Sequence, residues 1–326
     1  MKHERNTSKS ADENIDNSHY VAEKIINILF NERRMVQGES DLKIPREREY
    51  GPHLQTLLKR INENKKINMI LPAFPGKSPN KKKTLGVLPD LAEKTAMKNL
   101  SDLCIKIKSI YEPGAQIIIC SDGYCFSDVV EISDEEIEQY LIALKQYVDE
   151  NHPDCFTFYD LDDHFEYIKD LPTKRDELLV FFGEPIEKIK NNREIYPSVH
   201  DMYIGITKFL FDDMCGMEKY AAFSKNNLQK RARTNAYRVI QRSNAWSQLV
   251  EKIFPDSLRL SIHPQKRESR KIGVSLAKSD DNWLTPWHSV ALKRGKEIVL
   301  FKRYEIDENS TAMVYVNGSP SHFVEI

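Results

Sequence analysis

Three short apolar runs, each closed by a polar turn and separated by long amphipathic stretches, constrain this chain more than any other feature. INMILPA (67–73), AQIIICSDG (115–123) and CFTFYDLDD (155–163) have the length and uniform apolarity of strands buried on both faces. Between the first two lies PDLAEKTAMKNLSDLCIKIKSIY (89–111), a helical pattern starting at Pro89. Between the second and third lies SDEEIEQYLIALKQYVDEN (133–151), in which Ser133 and Glu136 have capping-box spacing. Strand, helix, strand, helix, strand predicts a parallel sheet with helices on both faces, a doubly wound α/β fold.

The rest of the chain is arranged around that core. Residues 1–17 are polar and charged and are expected as a flexible N-terminal tail, and 18–326 as a single domain. A helical pattern starts at Ser18 (Val21, Ile25, Ile26, Leu29, Phe30), and a second follows Gly51-Pro52 (Leu54, Leu57, Leu58, Ile61). The α/β core is expected over about 65–290, interrupted by a helical insertion over about 172–252 and including a further buried strand, LRLSIHP (258–264). A β-rich C-terminal section over about 287–326 contains hairpins turning at Arg294-Gly295 and Asn317-Gly318.

Composition excludes several classes. Forty-eight basic against 49 acidic residues leave no global field for nucleic acid or an anionic membrane. No run reaches the roughly 18 to 20 apolar residues of a membrane span, and the first residues lack a signal-peptide core, so a cytoplasmic protein is expected. The five cysteines, Cys104, Cys120, Cys125, Cys155 and Cys215, form no C-x-x-C pair, which predicts reduced thiols and no zinc site.

Gly76-Lys77-Ser78 after the first strand has the ending of a phosphate-binding P-loop. The pattern requires a glycine where Leu71 stands, however, and Pro79 turns Ser78 away from helical geometry. A dinucleotide fingerprint and a G-x-S-x-G nucleophile elbow are also missing. What remains is a proline-stiffened loop with Lys77, Lys81, Lys82 and Lys83, at the edge where open parallel sheets bind ligands. Ser121-Asp122-Gly123, Asp160 to Asp163 and His263-Pro264 follow the other strands at the same edge. Each also has a local reading: a turn, a helix N-cap, a core histidine, and for Lys81 to Lys83 a solvated face. Thr285-Pro286-Trp287-His288 reads equally as packing.

Taken in order and spacing, LPAFPGKSPNKKKTLGVLPD, SDGYCFSD, LSIHP with KIGVSL, and TPWHSV resemble the motifs of the isocyanide (isonitrile) synthases, the pyoverdine/dityrosine biosynthesis family, over about Tyr50 to Val290. Cys125 departs from the more aliphatic residue expected there. The resemblance implies a Rossmann-like fold without a nucleotide fingerprint. It also implies an enzyme that converts the α-amine of tyrosine, or next tryptophan, to an isonitrile whose carbon comes from ribulose 5-phosphate. No metal or redox cofactor is implied, and a downstream oxygenase is the expected consumer of the product.

In this chemistry Lys77, with Lys83, Arg233 or Lys271, is expected to grip the sugar phosphate. Asp122, His263 and His288 are expected to transfer protons. Ser78 and Ser121 are expected to bind sugar hydroxyls or the substrate carboxylate, and Phe74, Tyr124, Phe126 and Trp287 to line an aromatic slot. Two other readings stay open: a sugar-phosphate aldolase or isomerase with Lys77 as Schiff-base amine, and a non-catalytic sugar-phosphate-binding module.

Overall fold

The computed structural model describes residues 4–281 and 283–326. Helix α1 (Glu4–Asn31) buries Ala22, Ile25, Ile26 and Leu29 in the core. It starts well before Ser18, so residues 4–17, expected as part of a flexible tail, have helical backbone, while 1–3 lie outside the described residues. No glycine or proline interrupts 4–17, and a helix nucleated by an anchored stripe extends residue by residue without a new nucleus. Helix α2 (Arg46–Asn62) likewise starts ahead of Gly51-Pro52 and carries Pro52 inside it. Proline's fixed φ suits a helix, but at this interior position one backbone donor is lost and the ring crowds the Arg48 carbonyl.

The alternating segment folds as its pattern predicts. Strand β1 (Ile67–Pro72), α3 (Leu91–Lys108), β2 (Ala115–Cys120), α4 (Gly123–Val130), α5 (Asp134–Asn151) and β3 (Phe156–Tyr159) follow in order. Capping boxes start α3 (Asp90 with Glu93) and α5 (Ser133 with Glu136). Asp160 caps the short α6 (Leu161–His164), accepting from the amides of Asp162 and Asp163, so the Asp160–Asp163 cluster is a helix start. The insertion is helical throughout: α7 (Leu171–Phe182), α8 (Ile186–Ile195), α9 (Pro197–Cys215) and α10 (Lys225–Ile253). Strand β4 (Leu258–Ser261) ends earlier than expected, because the His263 amide turns back to the Ser261 hydroxyl and Pro264 has no amide to donate. A further strand, β5 (Lys271–Gly273), completes the sheet.

The strand order is β3-β2-β1-β4-β5, all parallel. The chain winds outward from β1 to β3 and then crosses to β4, so the direction reverses between β1 and β4. The crevice at the carboxyl ends of those two strands is where such sheets bind ligands. A short 3-10 turn (Pro286–His288) leads into a second sheet of β6 (Val290–Arg294), β7 (Glu297–Phe301), β8 (Thr311–Val316) and β9 (Ser319–Glu325), ordered β7-β6-β9-β8. Its hairpins turn at Gly295 and at Asn317-Gly318, the last two both at positive φ as a two-residue primed turn requires. Among the described residues no helix is long and apolar enough to cross a membrane.

Gly76 fixes the path of the loop after β1. Its φ is +111°, and a Cβ there would stand 2.5 Å from Ile137 Cδ1 on α5. Gly76→Ala is therefore expected to cost about 1 to 3 kcal/mol in urea unfolding, from backbone strain and overpacking together.

Candidate active site

The loop leaving β1 is pinned at every step. Phe74 has φ +62°, rare for a bulky residue, and its carbonyl accepts a 3.0 Å bond from the Ser121 hydroxyl at the end of β2. The Phe74 ring is fully buried against Trp287, with centroids 5.2 Å apart, and the Ser78 amide donates to the Trp287 carbonyl at 2.9 Å. The loop thus ties the carboxyl end of β1 to the turn that opens the second sheet.

Lys77 is enclosed. Its Nζ lies 2.9 Å from Asp90 Oδ2, 2.8 Å from Glu93 Oε2 and 3.3 Å from the Pro286 carbonyl, with no side-chain exposure. Those contacts use all three ammonium donors. Burial pulls the Lys77 pKa down, but Glu93 and Asp90 outweigh it and the net shift is upward, so the lysine stays charged. The expected phosphate grip by Lys77 is corrected: no donor is left for a ligand. An amine held protonated between two carboxylates is also a poor Schiff-base nucleophile, which removes the feature on which the aldolase reading rested. Burial pushes Glu93 upward, opposed by Lys77, and Tyr140 Oη contacts its other oxygen at 3.5 Å.

A second network surrounds Asp213, which α9 carries into the interior. Its Oδ1 accepts from Ser78 Oγ at 2.9 Å and pairs with Lys83 Nζ at 2.6 Å, while His288 Nε2 stands 4.0 Å from Oδ2. His288 Nδ1 is 3.0 Å from Thr285 Oγ1, and its ring meets Phe209 edge to face at 4.7 Å. Burial, then Lys83 and Lys77, lower the His288 pKa to about 3. It is therefore a neutral imidazole at pH 7, which corrects the expectation of a histidine tuned near neutrality. Ser78, Lys83 and His288 meet around an aspartate the sequence reading missed, and Lys83, expected on a phosphate, is paired with that carboxylate.

Asp122 has the environment of an acid/base group. It ends the β2 edge at the start of α4, its Oδ1 is buried without a hydrogen-bond partner, and burial raises its pKa to about 7. Two buried arginines hold α4 in place. Arg175 Nε donates to the Tyr124 carbonyl at 2.6 Å, and Arg242 Nη1 to the Cys125 carbonyl at 2.9 Å. Arg175 also pairs with Asp134, and Arg242 with Asp128. The helical insertion, through α7 and α10, therefore positions Asp122.

The remaining expected residues separate. Phe74, Tyr124, Phe126 and Trp287 are buried in the main core cluster, so they pack the site's floor and do not line an open slot. Ser121 is committed to the Phe74 carbonyl. His263 is exposed beside Trp283, and Arg233 is exposed on α10, apart from both networks. Lys271 lines a cavity of about 1020 Å³ between α2 and α10, on one face of the sheet. The described residues contain no group of three or more His, Cys, Asp or Glu arranged to hold a metal ion.

The sequence profile of the pyoverdine/dityrosine biosynthesis protein family matches residues 57–314. An L-tryptophan isonitrile synthase of Fischerella ambigua is 38% identical over 95% of this chain and 93% of its own length. L-tyrosine isonitrile synthases of Xenorhabdus nematophila (37%, covering 93% of this chain and 91% of the relative) and Pseudomonas aeruginosa (40%, 81% and 80%) are similar as well. The crystal structure of the PvcA protein from Pseudomonas aeruginosa superposes with a TM-score of 0.85 at 36% identity, covering 93% of this chain and 99% of that one.

Two outcomes follow from the geometry. Lys77→Met leaves Asp90 and Glu93 buried without their cation and is expected to lose about 3 to 5 kcal/mol in urea unfolding. Asp122 has a folded-state pKa raised to about 7, so its contribution to stability is full below about pH 4 and lost as pH rises through 7. Asp122→Asn should therefore melt higher than wild type at pH 8, by roughly 2 to 4 °C for each kcal/mol relieved, and the gain should vanish by pH 4.

Proposed function

The chain belongs to the pyoverdine/dityrosine biosynthesis protein family, and on that premise we propose that it is an isonitrile synthase acting on an aromatic L-amino acid, tyrosine ahead of tryptophan, with ribulose 5-phosphate as carbon donor. The observation that carries the reading is that relatives named for isonitrile synthesis from both amino acids match along nearly the whole chain. Their likeness therefore extends over the core, the insertion and the start of the second sheet. No metal or redox cofactor enters the proposed reaction. A downstream oxygenase in the same compartment, proposed as the cytoplasm, would consume the product.

In this reading the amino group adds to the sugar ketone and water leaves, giving an imine. Proton removals, departure of phosphate and cleavage of both carbon-carbon bonds at the former ketone carbon then leave the nitrogen bearing a terminal carbon. Asp122 is suited to the proton removals: a carboxyl poised near pH 7 with an unsatisfied oxygen accepts a proton at little cost and returns it. Neutral His288, beside Lys83 and Asp213, is suited to donating a hydrogen bond to a developing oxyanion. An anion bound near Lys83 would also raise the His288 pKa towards the useful range.

The test is incubation with tyrosine, tryptophan or phenylalanine plus ribulose 5-phosphate, reading product mass and released inorganic phosphate. The expected result is the isonitrile from tyrosine with stoichiometric phosphate, and less from tryptophan; activity is expected to survive EDTA. Isonitrile from tryptophan alone would correct the substrate order. Binding of both substrates with no phosphate release would favour a non-catalytic sugar-phosphate module.

A further inference from the structure

Lys77 and Lys83, which the loops bring to the carboxyl edge of the sheet, already face carboxylates: Asp90 with Glu93, and Asp213. Two less closely paired cations lie on the sheet face: Arg259, whose one carboxylate partner among the described residues is the exposed Glu251 at 3.6 Å, and Lys271. Arg259 on β4 stands opposite Lys271 on β5 and opposite Ile70 on β1, so these three side chains share one face. They line the cavity of about 1020 Å³ between α2 and α10, together with His53, Ser247 and Arg270.

The Arg259 side chain is 12% exposed, and its Nε is buried without a hydrogen-bond partner; the nearest carboxylate, Glu251, is 3.6 Å away and 54% exposed. Its remaining bonds are weak ones, 3.2 Å to the Leu260 carbonyl and 3.3 Å to Ser247 Oγ. Lys271 has no ion pair among the described residues, and burial followed by Arg259 lowers its pKa. Like charges directly opposite on neighbouring strands destabilise a sheet, and one exposed carboxylate, Glu251, stands against two cations, which leaves one positive charge for a further anion. A phosphate dianion supplies the charge and the acceptor oxygens, and an arginine fork beside a lysine point charge suits it. On the same sheet face Cys120 ends β2 and Asp122 follows it, and the Arg259 charge acts on Asp122, lowering its pKa against the larger upward effect of burial.

We infer that this cavity is the phosphate subsite of the enzyme, with Arg259 and Lys271 holding the phosphate of the sugar-phosphate co-substrate and Arg270 at the rim. The identity of the phosphate carrier rests on the proposed isonitrile synthase activity; the anion site itself rests on the geometry.

The test is calorimetric titration of the full chain with inorganic phosphate and with ribulose 5-phosphate, for wild type, Lys271→Gln and Arg259→Gln, alongside steady-state kinetics. Lys271→Gln is expected to weaken both ligands by about 10- to 100-fold and to raise the KM for ribulose 5-phosphate, leaving the KM for the amino acid within about twofold. Without ligand it should melt at or above the wild-type temperature, because it removes a like-charge repulsion; a purely structural lysine would melt lower. If Arg259→Gln does not fold, Lys271→Gln carries the test alone. Unchanged affinity for both ligands in folded Lys271→Gln, or no phosphate binding by wild type at millimolar concentration, overturns the inference. Wild type that binds both phosphates through these residues yet forms no isonitrile would sink the proposed activity and leave the anion site standing.

Discussion

The Lys77 ammonium between Asp90 and Glu93 is the contact on which the rest of the site depends. The three residues come from the loop after β1 and the first turn of α3, and the lysine also reaches the Pro286 carbonyl at the entrance to the second sheet. One buried cation therefore fixes three parts of the chain relative to each other. Removing one partner of such a cluster leaves an uncompensated buried charge, which is far more costly than a surface pair is stabilising. Asp90 and Glu93 each do a second job: their capping box starts α3, so the carboxylates that neutralise Lys77 are held in place by the helix they cap.

That arrangement determines where chemistry is available. With Lys77 and Lys83 both paired, the carboxyl edge of β1 is a rigid floor carrying the neutral imidazole of His288. Among the described residues, spare capacity lies elsewhere: the Asp122 Oδ1 and the Arg259 Nε, both without a hydrogen-bond partner, and the Lys271 side chain over the cavity. The helical insertion serves the same end from the other side, since Arg175 and Arg242 grip backbone carbonyls of α4 immediately after Asp122. A carboxyl that must stay partly protonated near pH 7 needs enclosure without a hydrogen-bonded cation, and that is its surroundings here.

The sheet was legible because alternation of short apolar runs and amphipathic helices has few other solutions, and the Asn317-Gly318 turn because two positive-φ residues select one hairpin. Asp122 could be found as a polar residue at a strand end. Lys77 was found but misassigned: its partners were visible as Asp90-x-x-Glu93, a capping-box spacing at a helix start, yet nothing in spacing along the chain says that a loop lysine folds back onto it. Asp213 shows only as an acidic residue on the apolar side of a helix, and Arg259 as a charge inside a buried strand, LRLS. Both are anomalies of the kind that mark function, because a buried charge needs a reason. The aromatic residues misled in the other direction: Phe74 and Trp287 pack on each other, and sequence does not distinguish a ring that lines a slot from one that fills it.

The central claim is that a buried carboxyl at Asp122, with no cation hydrogen-bonded to it, runs the proton transfers while the lysines of the β1 loop are structural. Its most direct measurement is the pH dependence of kcat between pH 5 and 9 with both the amino acid and ribulose 5-phosphate saturating, where ionisation of the free amino acid does not enter. The account predicts a rate that rises with pH to a plateau through one ionisation near 7, as the Asp122 carboxylate forms. A profile flat across that range in the wild-type enzyme, or one whose midpoint stays near 7 in an active Asp122→Asn variant, would contradict it.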